Sequence, residues 1–185
     1  MRIRDKIKKP QRPVVAYEIL PPREKDGTLN SYAETISSLL SQTHIDAINI
    51  PEVLDEAGRG DRPIANYKRG EPREFGRLLQ DIVGIEAIVN RVVVHDDYDT
   101  QMKWFEETNK VYEIENMIIV GGESSNVEYP GPTVNQTLEA ISNIYNKDGN
   151  DIFCGGIAIP SRKEESKNLI KKSKNGSEFF TTQVL

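Results

Sequence analysis

Glu18 stands in the middle of "VVAYEILPPR" (14–23), an apolar run that stops on two prolines. A carboxylate placed there either pairs with a cation, an arginine such as Arg23 or Arg91, or holds a proton for chemistry. Side chains alternate along a strand, so Glu18 shares a face with Ala16 and Leu20, and Val15, Tyr17 and Ile19 take the other. Four more apolar runs present one polar residue near the carboxyl end in the same way. These are Asn49 in "DAINI" (46–50), Asn90 in "EAIVNRVVV" (86–94), Glu123 directly after "NMIIVGG" (116–122), and Gln183 in "EFFTTQVL" (178–185). Acids and amides are the groups that transfer protons and fix the hydrogen-bonded edge of a small ligand. A carboxylic acid partly shielded from water has its charged form disfavoured, which suits a general acid.

Other residues invite chemistry less strongly. His95, Asp96, Asp97 and Asp99 follow the third run and read either as metal ligands or, more simply, as a helix cap with an acid-rich first turn. No metal site is expected. Gly121 and Gly122 could begin a phosphate nest, which the charge of Glu123 opposes. Cys154, the single cysteine, cannot form an internal bridge and reads as a small buried hydrophobe. Trp104 and Phe105 read as helix packing, and the run "KEESKNLIKKSK" (163–174), which contains Lys172, as a solvated helix face.

The elements that must hold these groups follow from the pattern of the whole chain. With 185 residues it can bury one ordinary core. Its 24 basic against 29 acidic residues, a formal charge of −5, argue against a nucleic-acid footprint and for a small soluble ligand. No signal-peptide core or bilayer-length apolar span is present, so the expected location is the cytoplasm, away from membranes.

A basic, proline-containing leader (1–13) precedes a single expected domain (14–185). There, the five runs above, with "DIFCGGIAI" (151–159) as a sixth, alternate with amphipathic stretches. "SYAE" (31–34), "TVNQ" (133–136) and "SRKE" (161–164) fit the capping-box pattern, and Gly84, Gly149 and Gly176 stand where C-terminal caps belong. The polar, glycine-rich segment 51–71 has no period and reads as a long loop. A β/α alternation of this kind fits a doubly wound sheet or a (β/α)8 TIM barrel. "LPPRE" after the first run offers no glycine fingerprint for a dinucleotide phosphate, which favours the barrel, of which the chain supplies about the first six strands. In a barrel the carboxyl ends of the strands form the catalytic mouth.

Three motifs in order resemble the methylenetetrahydrofolate reductase family, flavin-dependent TIM barrels of one-carbon metabolism. "YEILPPR" (17–23) is similar to the family's first-strand motif, "IIVGGES" (118–124) to its fourth-strand motif, and "NGSEFFTTQVL" (175–185) to its sixth-strand motif. The resemblance implies a cytoplasmic NAD(P)H oxidoreductase acting on CH–NH donors. It would reduce a 5,10-methylene-tetrahydropterin to the 5-methyl form, with FAD as cofactor, and feed methionine biosynthesis. It implies Glu18 as general acid, Glu123 beside it in the catalytic set, and Gln183 with Asn49 on the substrate. Asn90, Gly122 and Lys172 fall at cofactor-contacting positions.

The sequence departs from the family's pattern at Pro51, Asn90, Gly121 and Ile159, all flavin-contacting positions in the family. Losing an arginine and a histidine there removes charge and donors. Arg59, Asp61 and Arg62 of the long loop are the candidates to replace them. Two alternatives stay open: a flavin-free or tetrahydromethanopterin-type reductase, and a non-catalytic pterin-binding partner subunit. Six strands leave two parallel edges unpaired, so the expectation is a piece of a longer chain, a homo-oligomer, or a partner subunit.

Overall fold

A computed structural model of the protein describes residues 1–54, 68–122, 128–145 and 152–182. Its strands are β1 (Ala16–Glu18), β2 (Ala47–Ile50), β3 (Ala87–Val92), β4 (Asn116–Val120), β5 (Phe153–Ala158) and β6 (Phe179–Thr182). The helices are α1 (Ile3–Lys8), α2 (Leu29–Leu40), α3 (Pro72–Val83), α4 (Tyr98–Lys110), α5 (Val134–Ile144) and α6 (Glu165–Lys174). The strands form one sheet in the order β1-β2-β3-β4-β5-β6, each followed by a helix except the last described. This is the first six strands of a (β/α)8-type barrel, as the alternation predicts.

The chain divides into two compact units, Met1–Asn90 with Tyr112–Ile114, and Arg91–Val111 with Glu115–Leu185. In the first, β1 runs parallel to β2 with Glu18 opposite Asn49, and β2 parallel to β3 with Asn49 opposite Ile88. Helix α3 begins with Pro72 after a Glu71 cap and ends on Gly84, whose φ of 71° gives the left-handed turn that glycine tolerates. The helix lies so near the sheet that a Cβ on Gly76 would stand 3.1–3.3 Å from Ile114, Ile50 and Ala87. Ile48, Ile50, Phe75, Leu79 and Val89 fill the space between them.

The basic leader contains α1. Ile3 of that helix is buried and its N–H donates to Glu86. Asp46, at the amino end of β2, accepts from Arg12 at 2.7 and 2.9 Å and from the Val15 N–H at 2.9 Å, and lies 3.0 Å from the Lys6 ammonium. The basic leader thus folds back over the amino ends of β2 and β3.

In the second unit β4 pairs with β5 and β5 with β6, all parallel. Phe153 stacks on Phe179 at 4.8 Å, and the Phe179 ring lies over Gly155, where a Cβ would meet it at 2.5 Å. Thr133 and Gln136 form the expected capping box of α5. The other two proposed boxes are corrected. Helix α2 is capped three residues earlier by Thr28, whose hydroxyl accepts from Ser31 N at 3.2 Å. Helix α6 starts at Glu165 after Glu164 in the left-handed region, with no side-chain cap bond. In both cases the hydroxyl fits the pattern, but the chain enters the helix elsewhere.

Candidate functional site

The carboxyl ends of the first unit's strands carry the acid of interest. Glu18 closes β1, and its Oε2 accepts a hydrogen bond from Asn49 Nδ2 at 2.9 Å. The pairing follows from register, since Glu18 and Asn49 are direct neighbours across a parallel pair and their side chains leave the sheet on one face. The ladder runs one residue further, with Ile19 N donating to Asn49 O at 2.9 Å. Arg23, which the sequence offers as a partner for Glu18, is instead bound to Asp26 at 2.6 Å. Arg91 lies in the second unit with Asp96 at 2.5 Å and Gln101 at 2.9 Å, its guanidinium over the Trp104 ring at 5.1 Å. Among the described residues Glu18 is therefore held by an amide, not by a cation.

The expected shelter from water is absent around Glu18. All three residues of β1 are exposed, because among the described residues β1 has a single strand neighbour. The two prolines act as the sequence suggests. Proline nitrogens donate nothing, so the turn is fixed through its carbonyls: Pro21 O accepts from Arg69 Nη1 and Pro22 O from Gly70 N, each at 2.9 Å. Sequence reasoning missed this clasp, since nothing in "KRGE" (68–71) marks it as the partner of a motif nearly fifty residues earlier.

Asn90 shares the Asn49 face, because Ile88 sits opposite Asn49 and Asn90 lies two residues further along β3. Its side chain is buried at 8% exposure, and its Oδ1 accepts no hydrogen bond. Asn49 Oδ1 is enclosed and unsatisfied as well.

In the second unit, Gly122 follows β4, and the ring of Tyr129 occupies the space where a Cβ would stand. Tyr129 also meets His95 edge-on, with ring centroids 5.4 Å apart. The turn that carries Tyr129 is pinned at Gly131, whose N–H donates to Val94 O at 2.9 Å and whose α-carbon has no room for a side chain beside the carbonyls of Val93 and Asp96. "YPGP" (129–132) is the signal that could have found it.

Lys172 is nearly buried, donating to Ile157 O at 2.5 Å with Glu165 Oε1 at 3.9 Å. Burial pushes its ammonium below the usual lysine range, against the pull of the Glu165 charge. Burial pushes the Glu165 carboxyl up, but bonds from the Ile159 N–H and Asn168, with the Lys172 and Arg162 charges, outweigh this and lower it. The pair ties α6 to the end of β5. This lysine is therefore not on the solvated helix face that its charge run suggests.

His95 to Asp99 form the simpler of the two structures weighed for them. Asp97 caps α4 by accepting from Thr100 N at 2.9 Å, and Asp96 binds Arg91. Trp104, Phe105 and Cys154 are buried as packing residues. Glu123, Gln183, Gly149 and the Arg59, Asp61 and Arg62 group lie outside the described residues. No helix among the described residues is long and apolar enough to cross a membrane.

No family model and no curated protein matches the sequence. Solved structures do match in fold. An uncharacterised protein from Clostridium thermocellum that binds two copies of 5-methyl-5,6,7,8-tetrahydrofolic acid aligns over 99% of this chain with a TM-score of 0.73 and 18% identity. This chain spans 58% of that protein's length. A protein from Burkholderia cenocepacia, provisionally assigned as a phosphonomutase, aligns over 98% of this chain and 66% of its own, with TM-score 0.54 and 10% identity. The chitinase domain of a Clostridium difficile spore coat protein aligns over 95% of this chain and 51% of its own, with TM-score 0.51 and 15% identity. At these identities the likeness is one of fold, a TIM-barrel-like one.

Proposed function

We propose that the protein binds a tetrahydrofolate-type pterin and reduces its 5,10-methylene form to the 5-methyl form. The observation that carries this reading is the Glu18–Asn49 pair at the carboxyl ends of β1 and β2, where barrel chemistry takes place. The three-motif resemblance supports it, as does a structure of the same fold that binds the 5-methyl product form.

In the proposed reaction Glu18 gives its proton to N10 of the bridged pterin as the bond from the methylene carbon to N10 breaks. The methylene carbon is left as an iminium on N5. A hydride from reduced nicotinamide, taken up as co-substrate, then adds to that carbon and gives the methyl group. Asn49 keeps the Glu18 carboxyl turned toward the mouth, a positioning role that needs no charge. Glu123 and Gln183 would orient the pterin, as the resemblance implies.

The resemblance also implies FAD, and the described residues do not fit it. Tyr129 fills the space over Gly122, the Lys172 ammonium is engaged with Ile157 O and Glu165, and the arginine and histidine of the family's flavin side are replaced by Gly121 and Asn90. No step is derived through flavin. The reading is therefore of a cytoplasmic, flavin-free reductase supplying methyl groups for methionine synthesis, with tetrahydromethanopterin as an alternative carrier. The exposure of Glu18 favours a second reading, a pterin-binding subunit of a homo- or hetero-oligomer that does no chemistry itself.

Turnover of methylene-tetrahydrofolate with reduced nicotinamide, followed by loss of nicotinamide absorbance, tests the first reading. Glu18→Gln keeps the shape but has no acidic proton, and a fall of roughly a hundredfold or more is expected. Full activity in that variant would sink the assignment. Binding of the pterin without reduction under any donor would establish the second reading.

A further inference from the structure

Two amide carbonyls on the face that carries Glu18 have no donor among the described residues. Asn90 Oδ1 and Asn49 Oδ1 are both enclosed, and no hydrogen bond reaches either. An enclosed carbonyl without a donor is costly, and a β-branched residue at position 90 would avoid the cost, as Ile88 does on the same face. The Asn49 amide is oriented by its bond to the acid: Nδ2 donates to Glu18 Oε2 at 2.9 Å, which directs Oδ1 away from Glu18. Register puts the three groups in a row: Glu18 opposite Asn49, Asn49 opposite Ile88, and Asn90 one pleat nearer the carboxyl end. The row presents acceptors to whatever enters there, and the described protein supplies no donor to match them.

We infer that Asn49 and Asn90 accept hydrogen bonds from the N–H edge of a planar nitrogen heterocycle, the amino and ring N–H groups of a 2-amino-4-oxopyrimidine being the fitting donors. The inference rests on the pterin reading above and gives that reading a direction: the pyrimidine edge faces β2 and β3. It also moves Asn90 from the cofactor to the substrate. A carboxylate or phosphate would meet three acceptors and be repelled, and an apolar ligand would leave both carbonyls unsatisfied.

The test is calorimetric titration of the 185-residue chain with 5-methyl-tetrahydrofolate and with its 2-desamino analogue, which lacks the amino donor. Wild type should bind the parent roughly tenfold or more tightly than the analogue. Asn90→Leu should bring the ratio close to one by weakening the parent, and should melt at the same temperature or higher, since it removes an unsatisfied group. Equal affinity of wild type for the two ligands overturns the inference, and so does a ratio undiminished in a folded Asn90→Leu protein. Both results leave the pterin reading standing. An Asn90→Leu chain that no longer melts cooperatively marks Asn90 as a residue of the fold, which also overturns it. Binding of neither ligand by wild type is a distinct result that removes the pterin reading and this inference together.

Discussion

The hydrogen bond between Asn49 and Glu18 is exposed at the end of β1, so it adds little to stability and much to orientation. The two roles separate in experiment. Glu18→Gln touches no buried contact and should shift unfolding free energy by no more than about 0.5 kcal/mol, even as it removes turnover. A denaturant titration checks this, and a loss of several kcal/mol would reveal a structural acid instead. Gly122 is the opposite case. A methyl there collides with the Tyr129 ring, so Gly122→Ala should cost about 1–3 kcal/mol unless the ring swings away. An unchanged melting curve would show that Tyr129 is not held over Gly122. The acid was legible in the sequence because a strand's alternation is rigid. The tyrosine was not, because "YPGP" marks the turn that carries it but not Gly122, the glycine its ring meets.

Among the elements, the strands and helices were the most legible part, and the reason is physical. Each strand core coincides with a β-branched run, α5 begins at its expected capping box, and α3 ends on Gly84 where a C-terminal cap was expected. The starts of α2 and α6 were misread because a hydroxyl three residues before an acid also occurs inside helices and turns. The basic, proline-containing leader (1–13) stands apart from the domain in the sequence pattern, yet Asp46 turns it into a clamp. Asp46 is almost fully buried, and the Arg12 guanidinium, then the Val15 N–H and Lys6, hold its carboxyl well below the ordinary carboxylate range. A group whose pKa is lowered on folding stabilises the native state above its unfolded value, about pH 4, and that contribution fades as pH falls below it. Asp46→Ala should cost about 2–3 kcal/mol at neutral pH, toward the low end for a broken pair because Arg12 remains half exposed. The gap between wild type and variant should narrow from pH 5 downward, to about pH 2, as wild type loses its own advantage. A gap constant across that range would mean that the Asp46 charge contributes nothing.

For the molecule as a whole, the fold was written in the alternation of strands and helices, while the contacts at the positions proposed for a cofactor were not. Cofactor contacts are a matter of which space is left open, and in the second unit that space depends on residues far apart in sequence. Tyr129 meets Gly122, and Lys172 reaches back fifteen residues to Ile157. Those contacts lead to a prediction about the protein as purified. After incubation with excess FAD and gel filtration it should show no visible flavin band, because the groups that would grip the isoalloxazine are engaged with the protein itself. The same sample should respond to the pterin. A ligand that binds only the native state at a hundred times its Kd adds about 2.7 kcal/mol, which for a chain of this size raises the melting temperature by roughly 5–10 °C. 5-Methyl-tetrahydrofolate at saturating concentration should give that shift, and the Asn90→Leu protein a smaller one. A stoichiometric yellow complex would restore the flavin to the mechanism, requiring Tyr129 and Lys172 to leave their present partners when it binds.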